Sequence, residues 1–85
     1  MFFTYILKSS KDKNLYIGYT SDLGKRFKEH NSGLVKSTKS RRPLYLVYYE
    51  AYASKQDATN REHNLKLRTR ALRQLKNRIQ GSLKE

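Results

Sequence analysis

Apolar and polar positions fall into short blocks along this chain, and the period of the blocks changes from one to the next. Phe2-Phe3-Thr4-Tyr5-Ile6-Leu7 is aromatic and β-branched and predicts a strand over residues 2–7. Lys8 to Asn14 is a polar turn, and Leu15-Tyr16-Ile17-Gly18-Tyr19-Thr20 predicts a second strand, so the two read as a hairpin with a longer loop. Successive side chains alternate between faces. Phe3, Tyr5 and Leu7 therefore share one face of the first strand, and Tyr16 and Gly18 lie opposite Leu15, Ile17 and Tyr19 on the second. A glycine inside a strand, Gly18, signals a bulge or the close approach of another group.

The period then becomes helical. Thr20-Ser21-Asp22 offers N-caps, and Leu23 and Phe27, four apart, form an inward stripe. Arg26 and His30 make a neighbouring stripe, and Asn31-Ser32-Gly33 ends the helix with a glycine suited to the left-handed region. Residues 34–42 form a basic, hydroxyl-rich loop closed by Pro43. Leu44 to Tyr52 is the strongest strand pattern, apolar on both faces, which predicts cover on both sides. Ser54-Lys55-Gln56-Asp57 resembles a capping box and opens a helix with Ala58 and Leu65 inward. Glu62 falls between them on the inward stripe, where an acid needs a partner. A third helix starts near Thr69, marked by Leu72, Leu75 and Ile79, and residues 81–85 read as a fraying tail. The order β-β-α-β-α-α predicts an α/β (α+β) domain over residues 1–80, a three-stranded antiparallel sheet flanked by helices.

Composition narrows the function. The 85 residues hold 19 Lys and Arg against 7 Asp and Glu, a net charge of +12 that favours a polyanionic partner. With no cysteine there is neither a disulfide framework nor a thiolate zinc site. No apolar run approaches the roughly 20 residues of a bilayer span, and Met1-Phe2-Phe3 lacks the layout of a signal peptide. The expected setting is cytoplasmic, without a membrane partner. In the loop, Lys36, Lys39, Arg41 and Arg42, interleaved with hydroxyls, are candidate phosphate contacts, as are Lys25 and Tyr19.

The candidate chemistry gathers on the first three elements. Tyr5 and Tyr16 sit on paired strands, with Arg26 and His30 on the next helix. A phenol, a guanidinium and an imidazole can together take a proton and hold a phosphate. Of the seven acids, Asp12 belongs to a turn, Asp22 and Asp57 to helix starts and Glu85 to the terminus, while Glu29 reads as exposed. Glu62 remains, with Glu50 in reserve. A two-metal site needs several convergent carboxylates, so a single oxygen-ligated ion on one Glu fits the count better.

Tyr5 in Phe3-Thr4-Tyr5, then Tyr16-Ile17-Gly18, Arg26, His30-Asn31-Ser32-Gly33 and Arg61-Glu62 resemble the motifs of the GIY-YIG nuclease superfamily over roughly residues 2–78. The chain is most similar to its small standalone bacterial members, which are themselves similar to the N-terminal domain of the excinuclease C subunit and to the catalytic domain of a structure-specific nuclease. The resemblance implies that Tyr5 and Tyr16 flank the scissile phosphate, one as base or water-positioning group, and that Arg26 offsets phosphoryl charge. His30 is a second candidate base, and Glu62 the carboxylate ligand of Mg²⁺ or Mn²⁺. It further implies DNA as the favoured nucleic acid, a place in DNA repair and a protein partner for targeting. Only the Tyr of the first motif is kept, and Tyr19 stands where some relatives carry Lys. The alternative is a basic nucleic-acid-binding module with little or no catalysis, for which the charge alone suffices.

Overall fold

In the computed structural model, which describes residues 1–67 and 69–84, the chain forms β1 (Phe2–Ser9), β2 (Leu15–Thr20), α1 (Leu23–Asn31), a 3-10 turn (Lys39–Arg41), β3 (Leu44–Tyr52), α2 (Lys55–Leu67), α3 (Thr69–Arg78) and α4 (Gln80–Lys84). The strands make one antiparallel sheet in the order β2-β1-β3. This is the α/β architecture that the block pattern predicts, with one further short helix. Residues 81–84, where fraying is expected, belong to α4, and Lys8 Nζ donates to the Leu83 carbonyl at 2.5 Å. Glu85, the end of that expected tail, lies outside the described residues.

The centre of the sheet is β1, where Thr4, Tyr5, Ile6 and Leu7 are all buried. β3, expected to be covered on both sides, is instead an edge strand with Tyr45 and Tyr49 more than half exposed. The reason is chemical. Much of the apolar content of β3 is tyrosine, whose hydroxyl tolerates water and allows an edge position. Register slips once, between Ile6/Tyr48 and Leu7/Leu46. Val47 is thereby left without a partner opposite β1, and both Val47 and Tyr48 pack on the side of α2 and α3.

Two cores result. On one face Tyr5, Leu7 and Leu44 pack beneath Leu23 and Phe27 of α1. On the other, Ile6 and Ile17 meet Leu65 of α2 and Leu75 of α3, with Leu72 and Ile79 at the margin. α2 brings little apolar surface, since only Ala58 and Leu65 are buried. Polar ties supplement it. Thr4 Oγ1 donates to the Ala58 carbonyl at 2.6 Å, and Arg61 Nε donates to Glu50 at 3.0 Å.

The loops are fastened as well. Asp22 caps α1 by accepting from the Lys25 amide at 3.1 Å. At the other end Gly33 takes φ +80, and the Asn31 side chain brackets Leu44, accepting from its N–H at 2.8 Å and donating to its carbonyl at 2.9 Å. Arg41 reaches into the hairpin loop, with Nε 2.7 Å from Asp12 Oδ2 and a terminal nitrogen 3.1 Å from the Asn14 carbonyl. The Arg41 guanidinium holds the Asp12 carboxyl down at about 2.

Leu65 is the single large aliphatic that α2 commits to the core. Leu65→Ala is expected to cost about 2–5 kcal/mol, as buried Leu truncations do, and a urea midpoint shift amounting to less than about 1 kcal/mol would show that α2 is held by its polar ties instead.

Candidate active site

Tyr5 and Gly18 are direct partners across β1 and β2. The phenol lies over the glycine so closely that a Cβ there would fall 2.4 Å from Tyr5 Cζ and from its hydroxyl. The strand glycine thus marks a close approach, and what approaches is a candidate catalytic group. Tyr16 sits on the same face, two residues back. The rings of Tyr5, Tyr16 and His30 enclose a small space, with His30 centred 5.7 Å from Tyr5 and 5.0 Å from Tyr16, edge to face in both cases.

His30 is fully buried. Its Nε2 lies 2.8 Å from the Tyr5 hydroxyl and its Nδ1 2.7 Å from Thr38 Oγ1. Burial, with help from the Arg26 charge, pushes its pKa down to about 4, so the ring is neutral near pH 7. Burial also pushes the Tyr5 phenol up to about 12, against a pull downward from the Arg26 guanidinium. Arg26 itself is partly buried. Burial works against its charge, but the neighbouring Tyr5 and Glu29 outweigh that and keep it ionised. Glu29 accepts from Arg26 Nη1 at 3.1 Å.

The remaining candidates divide. Tyr16 keeps its hydroxyl without a protein partner among the described residues, beside the Tyr5 ring at 6.4 Å. Glu62 reaches Tyr5 electrostatically, its charge opposing phenolate formation there. Its side chain is mostly covered, 24% exposed, and its ion-pair partner is Lys66 Nζ on the same helix at 3.0 Å. Glu50, the reserve ligand, is fully engaged elsewhere. It accepts from Tyr48 at 2.5 Å, from Tyr52 and from Arg61, on the sheet face opposite Tyr5. Burial alone would raise its pKa, but these partners hold it low, so it serves to fasten α2 to β3. His30, a candidate base from the sequence, is fully buried and meets the Tyr5 hydroxyl through Nε2.

Among the candidate phosphate contacts, Tyr19 and Lys25 line a shallow groove with Arg26 and Glu29, and Tyr19 stacks on Phe2 at 6.5 Å. Lys36, Lys39 and Arg42 are exposed. Arg41 is not available in the same way, because its guanidinium is spent on Asp12 and the hairpin carbonyls. Thr38 is the residue against His30 that sequence reading passes over. It is one of three hydroxyls in a basic loop, and no periodicity sets it apart from Ser37 and Ser40. Among the described residues no three His, Asp or Glu side chains gather around one point.

A family model described as the GIY-YIG catalytic domain matches residues 1–78. UPF0213 proteins of Staphylococcus aureus strains Mu3 and Mu50 are each 48% identical to the chain over 69 residues, covering 80% of it and 83% of their own length. The solution NMR structure of a UPF0213 protein from Bacillus halodurans is similar at 41% identity and a TM-score of 0.54, covering 88% of this chain and 82% of that one.

Two outcomes follow from this geometry. Gly18→Ala forces the Tyr5 phenol aside and is expected to destabilise the fold by about 1–3 kcal/mol, as overpacking does. An unchanged urea midpoint would show that the close approach imposes nothing. His30 gives a pH signature. The folded chain binds fewer protons than the unfolded one between about 4 and 6.5, so stability is complete above that window and falls as pH drops through it. The loss is on the order of 3 kcal/mol. Urea midpoints of wild type and His30→Gln near pH 7 and pH 4.5 check it, and equal slopes would place the titrating group elsewhere.

Proposed function

The chain belongs to the GIY-YIG catalytic domain family, a nuclease superfamily, and on that premise we propose that it is an endonuclease hydrolysing phosphodiester bonds of nucleic acid, DNA foremost, with one divalent cation. The observation that carries this reading is the Tyr5 hydroxyl held between a neutral imidazole, 2.8 Å away, and a charged guanidinium. A nucleic-acid backbone suits the net charge of +12 and the exposed Lys25, Lys36, Lys39 and Arg42.

In this reading a water is oriented beside the phenols for in-line attack at phosphorus. Its proton passes to the Tyr5 oxygen as the Tyr5 proton moves to His30 Nε2, so the imidazole is the acceptor behind the phenol. Neither ring has to ionise at rest, which suits a pair whose separate pKa values, about 12 and about 4, make both charged forms rare at pH 7. Arg26 offsets the charge growing on the phosphoryl oxygens. Tyr16 holds the water or a phosphate oxygen with its unpartnered hydroxyl. As the phosphorus–oxygen bond breaks, the leaving oxygen takes a proton from solvent water, and the His30 proton returns through Tyr5 to the medium.

The donor set is made of hard oxygens, one carboxylate and two phenols, with no thiolate. This suits Mg²⁺ or Mn²⁺ with most of its waters retained. Glu62 would hold the ion, displacing a Lys66 contact that is half exposed and so of little energetic weight. Bound there, the ion would neutralise phosphate charge.

The test is cleavage of labelled duplex, flap, branched and single-stranded DNA and RNA with Mg²⁺ or Mn²⁺ and an EDTA control. Arg26→Ala and Glu62→Gln are each expected to lower turnover by about 10²–10³-fold, as the loss of one charge-stabilising group does, while a filter-binding assay still detects the complex. Full turnover in either variant removes that residue from the mechanism. Binding without any metal-dependent cleavage by the wild type favours the second reading, a nucleic-acid-binding module, which the surplus of exposed cations supports.

A further inference from the structure

Behind the phenol and imidazole lies a third group that the reaction as described does not use. Thr38 is fully buried, with Oγ1 2.7 Å from His30 Nδ1 and 3.5 Å from the Val35 carbonyl. Its position is set by the loop itself. The Thr38 amide donates to the Val35 carbonyl at 3.1 Å, the Arg41 amide donates to the Thr38 carbonyl at 2.9 Å, and the Arg41 side chain is clamped to Asp12. Loop 34–42, which looks slack in the sequence, is thus a rigid support for one hydroxyl.

The direction of each hydrogen bond can be worked out from donor counts. An arginine only donates, so Arg26, beside the Tyr5 hydroxyl, cannot accept its proton. Among the described residues the acceptor within hydrogen-bond distance of that hydroxyl is His30 Nε2. Nε2 must then carry the lone pair, which puts the ring proton on Nδ1, pointing at Thr38 Oγ1. The Thr38 hydroxyl proton goes on to the Val35 carbonyl. The opposite tautomer would strand the Tyr5 proton between two donors in a residue that is 1% exposed. Groups facing the imidazole from the other elements are Tyr5 on β1, Tyr16 on β2, and Arg26 and Glu29 on α1. None of these contacts Nδ1 within hydrogen-bond distance.

We propose that Thr38 is a positioning residue: it fixes His30 as the Nδ1–H tautomer and so keeps Nε2 open to receive the Tyr5 proton. The imidazole proton that Thr38 accepts a bond from never leaves Nδ1. The moving proton is the one on Tyr5, and its bond to oxygen breaks as the bond to Nε2 forms. The tautomer follows from the hydrogen bond made by the far nitrogen. The consequence for turnover rests on the nuclease reading; the tautomer itself does not.

The experiment is a two-bond ¹H–¹⁵N spectrum of the His30 imidazole in uniformly labelled protein at neutral pH, beside cleavage kinetics, for wild type, Thr38→Ser and Thr38→Val. Wild type and Thr38→Ser are expected to show a protonated Nδ1 and an unprotonated Nε2. Thr38→Val, of the same shape without the hydroxyl, is expected to shift toward Nε2–H and to lose turnover by about 10²-fold, the lower range for a positioned proton acceptor, with KM unchanged and Thr38→Ser close to wild type. A wild-type ring protonated on Nε2 overturns the inference without reference to any variant, so failure of Thr38→Val to fold leaves it decidable. An unchanged tautomer in folded Thr38→Val overturns it too. A wild type with the expected tautomer and no cleavage of any nucleic acid defeats the nuclease reading and leaves the positioning of His30 standing.

Discussion

A phenol can lie across a neighbouring strand only where that strand has no side chain. The Tyr5–Gly18 pair meets this condition at the middle of the sheet, and the rest of the site is arranged around it. With the ring laid over β2, its hydroxyl emerges where α1 passes, within 2.8 Å of His30. Leu23 and Phe27 hold α1 against the same face, so the imidazole cannot drift from the phenol without opening a core. Packing and chemistry therefore share the same residues. Tyr5 is at once a core side chain, 1% exposed, and the hydrogen-bond partner of the buried imidazole.

Electrostatics add a second layer. Burial pushes a phenol up and an imidazole down, so the hydrogen-bonded pair is locked in one neutral protonation state. The fixed positive charge beside it, Arg26, is retained against its own burial by Tyr5 and Glu29. The site thus offers a permanent cation and a neutral phenol at Tyr5. The opposite face of the sheet uses its carboxylate differently. Glu50, ringed by Tyr48, Tyr52 and Arg61, ties β3 to α2.

Much of this was legible in the sequence. Alternation and turn residues marked the hairpin, four-residue spacing marked Leu23 and Phe27 as the buried stripe of α1, and Leu72, Leu75 and Ile79 marked α3. A glycine in mid-strand signals a bulge or a close approach, and at Gly18 it is the close approach, by Tyr5, that the sheet contains. What could not be read was who pairs with whom. β3 carries more apolar residues than β1 and yet lies at the edge, because strand order depends on contacts between distant segments. Arg41 and Lys39 look alike in a basic loop, and only the folded hairpin shows that the first is clamped to Asp12. Thr38 was hidden for the same reason, since a hydroxyl acquires meaning from the nitrogen it meets. Glu62 lies on the inward stripe by spacing, and the partner such an acid needs comes from the same helix, Lys66 four residues on.

The central place of β1 also bears on how the chain reaches this state. Its hairpin partner is local, but its other partner is far along the chain: Phe2 pairs with Tyr52 and Ser9 with Leu44. Closing that loop must precede the reward of pairing, and non-local strand pairing slows folding. Until β3 arrives, the central strand shows one bare edge and a row of unpaired amides, the kind of surface on which chains associate. The bulge at Val47, the clamp of Arg41 on the hairpin and the Asn31 bracket on Leu44 all act at the β3 side or its approach. In the finished fold they hold β3 against that edge, so the central strand is left with no open side.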